Sequence, residues 1–243
     1  MTPLTPTKLI VALDVPSFDA ADGLIASLAS LDVVFKVGYE ALYGYGEALL
    51  QALERSGAPY FVDAKLHDIP RTAAAAMRAL VRPHTAIVSV HALGGNDMML
   101  AAIDAAHERA DELGIAPPAI FAVSVLTSHS PEELGELGLQ GGLGENVMRL
   151  AALARDARCA GVVCSVREVS DLKSYFGSDF ATLCPGIRPS GKAADDQKRV
   201  ATPAEAARAG ADYVVVGRPI VAASDPLAAA RAILIELETA RAG

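Results

Sequence analysis

The sequence predicts an α/β chain folded as a single (β/α)8 barrel, and three observations carry that expectation. Eight short apolar runs rich in β-branched residues recur along the 243 residues, with longer Ala/Leu-rich segments between them. The runs are mostly apolar without alternation, as parallel strands covered on both faces should be. Unusual polar residues fall where the runs end. The competing architecture is a doubly wound open sheet, which usually carries a glycine-rich turn after its first strand. Here the first run continues into Asp-Val-Pro-Ser-Phe-Asp, with no GxGxxG.

Taken in order, the first strand is Leu9–Asp14, an apolar run closed by a carboxylate. The second, Val33–Gly38, is apolar apart from Lys36, and a helix over Tyr39–Ser56 follows it. The third, Tyr60–Lys65, enters as Tyr-Phe-Val and leaves as Asp-Ala-Lys. Pro70 is suited to the first position of the next helix, because it lacks the N–H that such a position cannot pair anyway. Ile69 is then the cap, and Asp68 lies one residue too early to cap; the helical segment continues over Ala73–Val81. The fourth strand, Ala86–Ala92, ends around His91, with a helix at Asp97–Leu113. The fifth, Ala119–Leu126, runs into Thr127 and Ser128. Gln140–Gly144 is glycine-rich but follows no strand, so it reads as a plain loop before a helix at Asn146–Ala157. Strands six to eight are Gly161–Ser165, Ala181–Gly186 and Asp212–Gly217, with helices at Pro203–Ala209 and Pro226–Ala240. No linker or low-complexity segment divides residues 1–243, so one domain is expected.

Composition narrows the function. Hydrophobic residues make up 52% and charged residues 21%, which favours a sizeable core over disorder. The formal charge of −8 argues against nucleic acid or an anionic membrane as partner. An anionic substrate would need a local basic site. No run of apolar residues is long enough for a membrane span, and the first residues show no signal pattern. Three cysteines without metal-like spacing suit a reducing compartment. A cytoplasmic protein is the expectation.

A barrel enzyme keeps its site at the C-terminal ends of the strands. Asp14, Lys36, Asp63, Lys65, His91, Thr127, Ser128, Arg188 and Arg218 all fall at or just past such ends. A lysine inside a barrel strand needs a carboxylate partner to stay charged. Asp63 and Lys65 are two apart, which on a strand points both to one face. With Lys36 on the adjacent strand and Asp68 beyond, they form a self-balancing charge array. The plain structural alternative is an ion-pair network that closes the barrel end. His67 and His91 read equally well as packed histidines. Barrels often bind phosphate with the loops after strands seven and eight. Gly217 and Arg218 fit that task, as do Arg188, Gly191, Lys192 and Gln197 in a long polar loop of lid type.

These segments together, Leu-Ile-Val-Ala-Leu-Asp, Phe-Lys-Val-Gly, Asp-Ala-Lys-Leu-His-Asp-Ile-Pro-Arg-Thr, Val-Ser-Val-His-Ala-Leu-Gly-Gly, Pro-Gly-Ile-Arg-Pro-Ser-Gly and Tyr-Val-Val-Val-Gly-Arg-Pro-Ile, closely resemble the orotidine 5′-phosphate decarboxylases in their bacterial form. The likeness runs in order from about Leu9 to Pro226. The Asp-x-Lys-x-x-Asp core also occurs in related 3-keto-L-gulonate 6-phosphate decarboxylases and hexulose-phosphate synthases. Those relatives place an acidic magnesium ligand on strand two, whereas this chain has Lys36. Ala64 and Arg71 depart slightly from the common pattern. The resemblance implies decarboxylation of orotidine 5′-monophosphate (OMP) to uridine 5′-monophosphate (UMP) and CO2, with neither metal nor cofactor. It implies that Lys65 protonates C6, that Asp63 faces the substrate carboxylate, and that Lys36 belongs to the catalytic array. It further implies a homodimer with shared sites, in which Asp68, Ile69 and Thr72 serve the neighbouring subunit. Asp14, Lys36 and Thr72 would hold ribose, Thr127 or Ser128 the pyrimidine edge, and Arg188, Gln197, Gly217 and Arg218 the phosphate.

Overall fold

The computed structural model describes residues 6–189 and 200–242. Eight parallel strands close into a barrel in sequence order: β1 (Lys8–Ala12), β2 (Val33–Val37), β3 (Tyr60–Leu66), β4 (Thr85–His91), β5 (Ala119–Val123), β6 (Gly161–Val163), β7 (Ala181–Cys184) and β8 (Tyr213–Val216). The described helices are α1 (Phe18–Leu28), α2 (Tyr39–Ser56), α3 (Pro70–Leu80), α4 (Gly95–Leu113), α5 (Pro131–Glu136), α6 (Leu143–Asp156), α7 (Val166–Phe176), α8 (Pro203–Ala209), α9 (Arg218–Val221) and α10 (Pro226–Ala242). The expected barrel is therefore the observed one, and the open-sheet alternative is excluded by the pairing of β1 with both β2 and β8.

Two apolar layers hold it. Outward-facing strand residues such as Leu9, Val11, Phe35 and Val62 pack beneath the helices. Inward-facing Ile10, Ala12, Val34, Phe61, Ile87, Phe121, Leu183 and Val215 fill the barrel itself. Strands buried on both faces cannot alternate apolar with polar, which is why the sequence shows unbroken runs. The helices start where short polar side chains can accept the free backbone N–H groups of a first turn. Ser17 does this for α1, Ser165 with Glu168 for α7, and Thr202 with Glu205 for α8. Helices α1 and α7 were not singled out from the sequence, although the Ser165–Glu168 spacing is a readable capping box. Pro70 does open α3 with Ile69 as its cap.

Candidate active site

The alternation that plugs the barrel also builds the site. Inward positions continue upward from Ile10 and Ala12 to Asp14, from Val34 to Lys36, from Phe61 to Asp63, and from Ile87 to Ser89. Below this level the inward residues are apolar; at it they become charged or hydroxylated. Lys36 is level with Ala12 and Phe61 in the strand register, so its long side chain rises between Asp14 and Asp63. A cavity of about 610 Å3 opens here. Asp14, Lys36, Asp63, Lys65, Thr127, Ser128, Arg188, Gly217 and Arg218 all line it.

The charges form a chain. Lys36 Nζ lies 3.2 Å from Asp14 Oδ1 and 3.7 Å from Asp63 Oδ2, and Lys65 Nζ donates to Asp63 Oδ2 at 2.8 Å. The Lys36 side chain is only 9% exposed, and these two carboxylates are the opposite charges that face it. The sequence reading placed Lys36, Asp63, Lys65 and Asp68 in one array. Within this subunit the array is instead Asp14–Lys36–Asp63–Lys65. Asp68 is exposed, accepts a hydrogen bond from the N–H of Ile69, and makes no ion pair among the described residues. Neither it nor Ile69 nor Thr72 lines this cavity, and all three are exposed on the surface. Gln197, Gly191 and Lys192 lie outside the described residues.

Gly38 makes the Lys36–Asp14 pair possible. A Cβ on it would sit 2.6 Å from Lys36 Nζ and 2.8 Å from Asp14 Oδ1. The glycine that ends the second strand therefore leaves room for the two charges to meet.

Asp63 and Lys65 do not sit on regular strand, as the two-residue spacing suggested. The pairing of β3 with β4 goes from Val62–Val88 to Leu66–Val90, so the third strand bulges between them. Lys65 takes a φ of +43°, a left-handed conformation that costs a non-glycine residue about 1–2 kcal/mol. The bulge turns Lys65 back toward Asp63 and brings the two side chains into contact. Two residues that sequence reasoning missed surround this bulge. Ser89 accepts the Lys65 N–H at 2.9 Å and donates to Asp63 Oδ1 at 2.9 Å. Tyr39 donates to the Ala64 carbonyl at 3.1 Å, and the Lys65 ammonium stands 5.1 Å from its ring centre. Burial, followed by the nearby Asp63 charge, raises the Tyr39 phenol above its ordinary pKa, so it stays a neutral donor. A serine in a strand and a tyrosine at a helix start carry no local signal for either role.

His67 and His91 stack with ring centres 5.2 Å apart. His91 Nδ1 accepts the Leu93 N–H at 3.3 Å. Burial, then His67, Lys65 and His129, push its pKa down to about 4, so the ring is neutral. It stands beside the site and not on the wall of this cavity.

A model of the orotidine 5′-phosphate decarboxylase / HUMPS family matches residues 7–233. The chain belongs to this family. The orotidine 5′-phosphate decarboxylase of Moorella thermoacetica is 47% identical over 95% of this chain and 92% of its own length. That of Paramagnetospirillum magneticum is 47% identical over 93% of this chain and 97% of its own. The crystal structure of the Lactobacillus acidophilus orotidine 5′-phosphate decarboxylase superposes with a TM-score of 0.84 at 36% identity, covering 95% of this chain and 99% of that one.

Proposed function

We propose that this protein is a carboxy-lyase of pyrimidine biosynthesis, converting OMP to UMP and CO2 without metal or cofactor. One observation carries the choice within the family: Lys36, on the second strand, is clamped between Asp14 and Asp63. An ammonium in that place competes with any cation for the same carboxylates. The magnesium-dependent sugar-phosphate reaction of the wider family would need an acidic ligand there.

The geometry supports a division of labour. Arg188 and Arg218, with Gly217, line the cavity and suit the substrate phosphate. Asp14 and Lys36 suit the ribose hydroxyls, and Thr127 or Ser128 the pyrimidine edge. Asp63 then stands against the carboxylate to be lost, and Lys65 beside C6. When the C6–carboxylate bond breaks, its electron pair stays on C6 as a carbanion with little delocalisation. An ammonium about 4 Å away stabilises it by roughly 4 kcal/mol at an effective dielectric of about 20. Lys65 gives its proton to C6, and the resulting amine recovers one from solvent. Electrostatics of this size is only part of the barrier reduction. Binding energy at the phosphate supplies more by closing the site and removing water.

The exposed Asp68, Ile69 and Thr72 belong in this reading to the site of a second subunit. All three lie together on the surface, away from their own cavity, where a second subunit can reach them. The working form is then a homodimer with shared sites, each subunit one catalytic barrel over residues 1–243. No helix among the described residues is long and apolar enough to cross a membrane. A cytoplasmic location fits the nucleotide substrate.

The test is the ultraviolet absorbance of OMP with purified protein, with and without EDTA. Conversion to UMP at the same rate in both is expected. Activity that EDTA abolishes, or turnover of sugar phosphates with magnesium and none of OMP, would overturn the proposal.

A further inference from the structure

Ser89 sits one inward position above Ile87 on β4, at the level where the barrel interior changes from apolar to charged. It is fully buried, in a place where packing alone would favour another aliphatic residue. Across from it β3 bulges: Val62 pairs with Val88 and Leu66 with Val90, so Asp63, Ala64 and Lys65 face Ser89 without a regular ladder. Their backbone groups need other partners. The Ser89 hydroxyl takes the Lys65 N–H, and Tyr39 supplies a donor for the Ala64 carbonyl.

The direction of the two Ser89 bonds is fixed by chemistry. A backbone N–H can only donate, so the hydroxyl oxygen accepts from Lys65. The hydroxyl hydrogen is then free for Asp63 Oδ1, 2.9 Å away. Asp63 is thereby held at both oxygens, Oδ1 by Ser89 and Oδ2 by the Lys65 and Lys36 ammonium groups. Lys65 is held at both ends too, its backbone by Ser89 and its ammonium by Asp63.

We infer that Ser89 is a positioning residue for decarboxylation: its hydroxyl locks the left-handed backbone of Lys65 to the Asp63 carboxylate, so that ammonium and carboxylate keep one relative placement through the reaction. Ser89 does not line the cavity. It acts through Asp63 and Lys65 alone. This rests on the decarboxylase reading above.

The experiment compares the wild type with Ser89→Ala, Ser89→Thr and Ser89→Cys, measuring kcat and KM for OMP, the dissociation constant of UMP by calorimetry, and the melting temperature. Wild-type turnover of OMP comes first, and its absence would remove the decarboxylase reading and this inference with it. With turnover present, Ser89→Ala should lose about 10- to 100-fold in kcat, the scale of a small misplacement of reacting groups. KM and UMP affinity should stay within about threefold, because ribose and phosphate contacts are untouched. Ser89→Thr restores the hydroxyl and should recover most of kcat. Should Ser89→Ala not fold, Ser89→Cys decides: similar in size but a weak hydrogen-bonding group, it should fold and still lose kcat more than UMP affinity. A folded Ser89→Ala or Ser89→Cys with kcat within about twofold of wild type would overturn the assignment. So would an equal loss of UMP affinity and kcat, which would mark a general collapse of the site.

Discussion

Gly38→Ala tests the charge chain without removing a charge. Gly38 has φ −92° and ψ −174°, an extended conformation open to alanine, so the change introduces no backbone strain. Its effect comes from space. The new methyl would lie 2.6 Å from Lys36 Nζ and 2.8 Å from Asp14 Oδ1, between the two members of the pair. Relief to ordinary contact requires each to retreat by about 0.6–0.8 Å. At the present 3.2 Å the attraction is about 5 kcal/mol at an effective dielectric of about 20, and at about 4 Å it is about 4 kcal/mol. The Lys36–Asp63 contact at 3.7 Å loses a similar amount if the ammonium swings away from both carboxylates. Asp14 is 43% exposed, so solvent screens part of its share. A net loss of about 1–2 kcal/mol remains, or roughly 5- to 30-fold in kcat/KM for OMP. Steady-state decarboxylation would measure it, and a thermal melt should show the same loss as a fall of a few degrees in melting temperature in a protein that still folds. Wild-type kcat/KM in a folded Gly38→Ala protein would refute the claim that the Asp14–Lys36 contact matters to the site.

Three further outcomes are expected. Lys65→Ala should bind UMP with nearly normal affinity and show no measurable turnover, since the interaction lost is made mainly in the transition state; calorimetry and single-turnover assays separate the two, and near-normal kcat would exclude Lys65 as proton donor. Mixing inactive Lys65→Ala and Asp68→Ala proteins should restore activity if Asp68 serves the neighbouring subunit, because a mixed dimer contains one intact site; no recovery despite demonstrated subunit exchange would place Asp68 in its own chain's site. His91 bears on acid stability: its folded-state pKa of about 4 lies below the ordinary 6.5. The unfolded chain therefore takes up this proton first, and stability falls as pH drops from about 6.5 toward about 4. Allowing for solvent access to the ring, His91→Asn should remove about 1–2 kcal/mol of the stability difference between pH 7 and pH 4.5, read by denaturant titration; an unchanged difference would show that His91 is not buried neutral.

The amino-acid sequence by itself determined the barrel and the end of it that carries chemistry. Unbroken apolar runs follow from strands covered on both faces, and period-two alternation decides which residues point inward. Because Asp14 and Lys36 continue inward rows that begin with Ile10 and Val34, their approach to the cavity was legible without coordinates. So was the start of α3, since Pro70 tolerates the first helical position and Ile69 must precede it. The tertiary structure alone decided how the charges pair. Linear spacing set Asp68 beside the other three charges; within one folded subunit Asp68 is exposed, and Asp14 joins the chain of charges from β1, on the other side of β2. The bulge at Lys65 was equally invisible, because nothing in Asp-Ala-Lys-Leu favours a left-handed lysine. That conformation exists because Ser89, on the adjacent strand, and Tyr39, at the start of α2, satisfy backbone groups that a regular ladder would otherwise have paired. Periodicity is a local property and can be read along the chain. Hydrogen bonds between residues 24 and 25 positions apart are set only when the barrel closes.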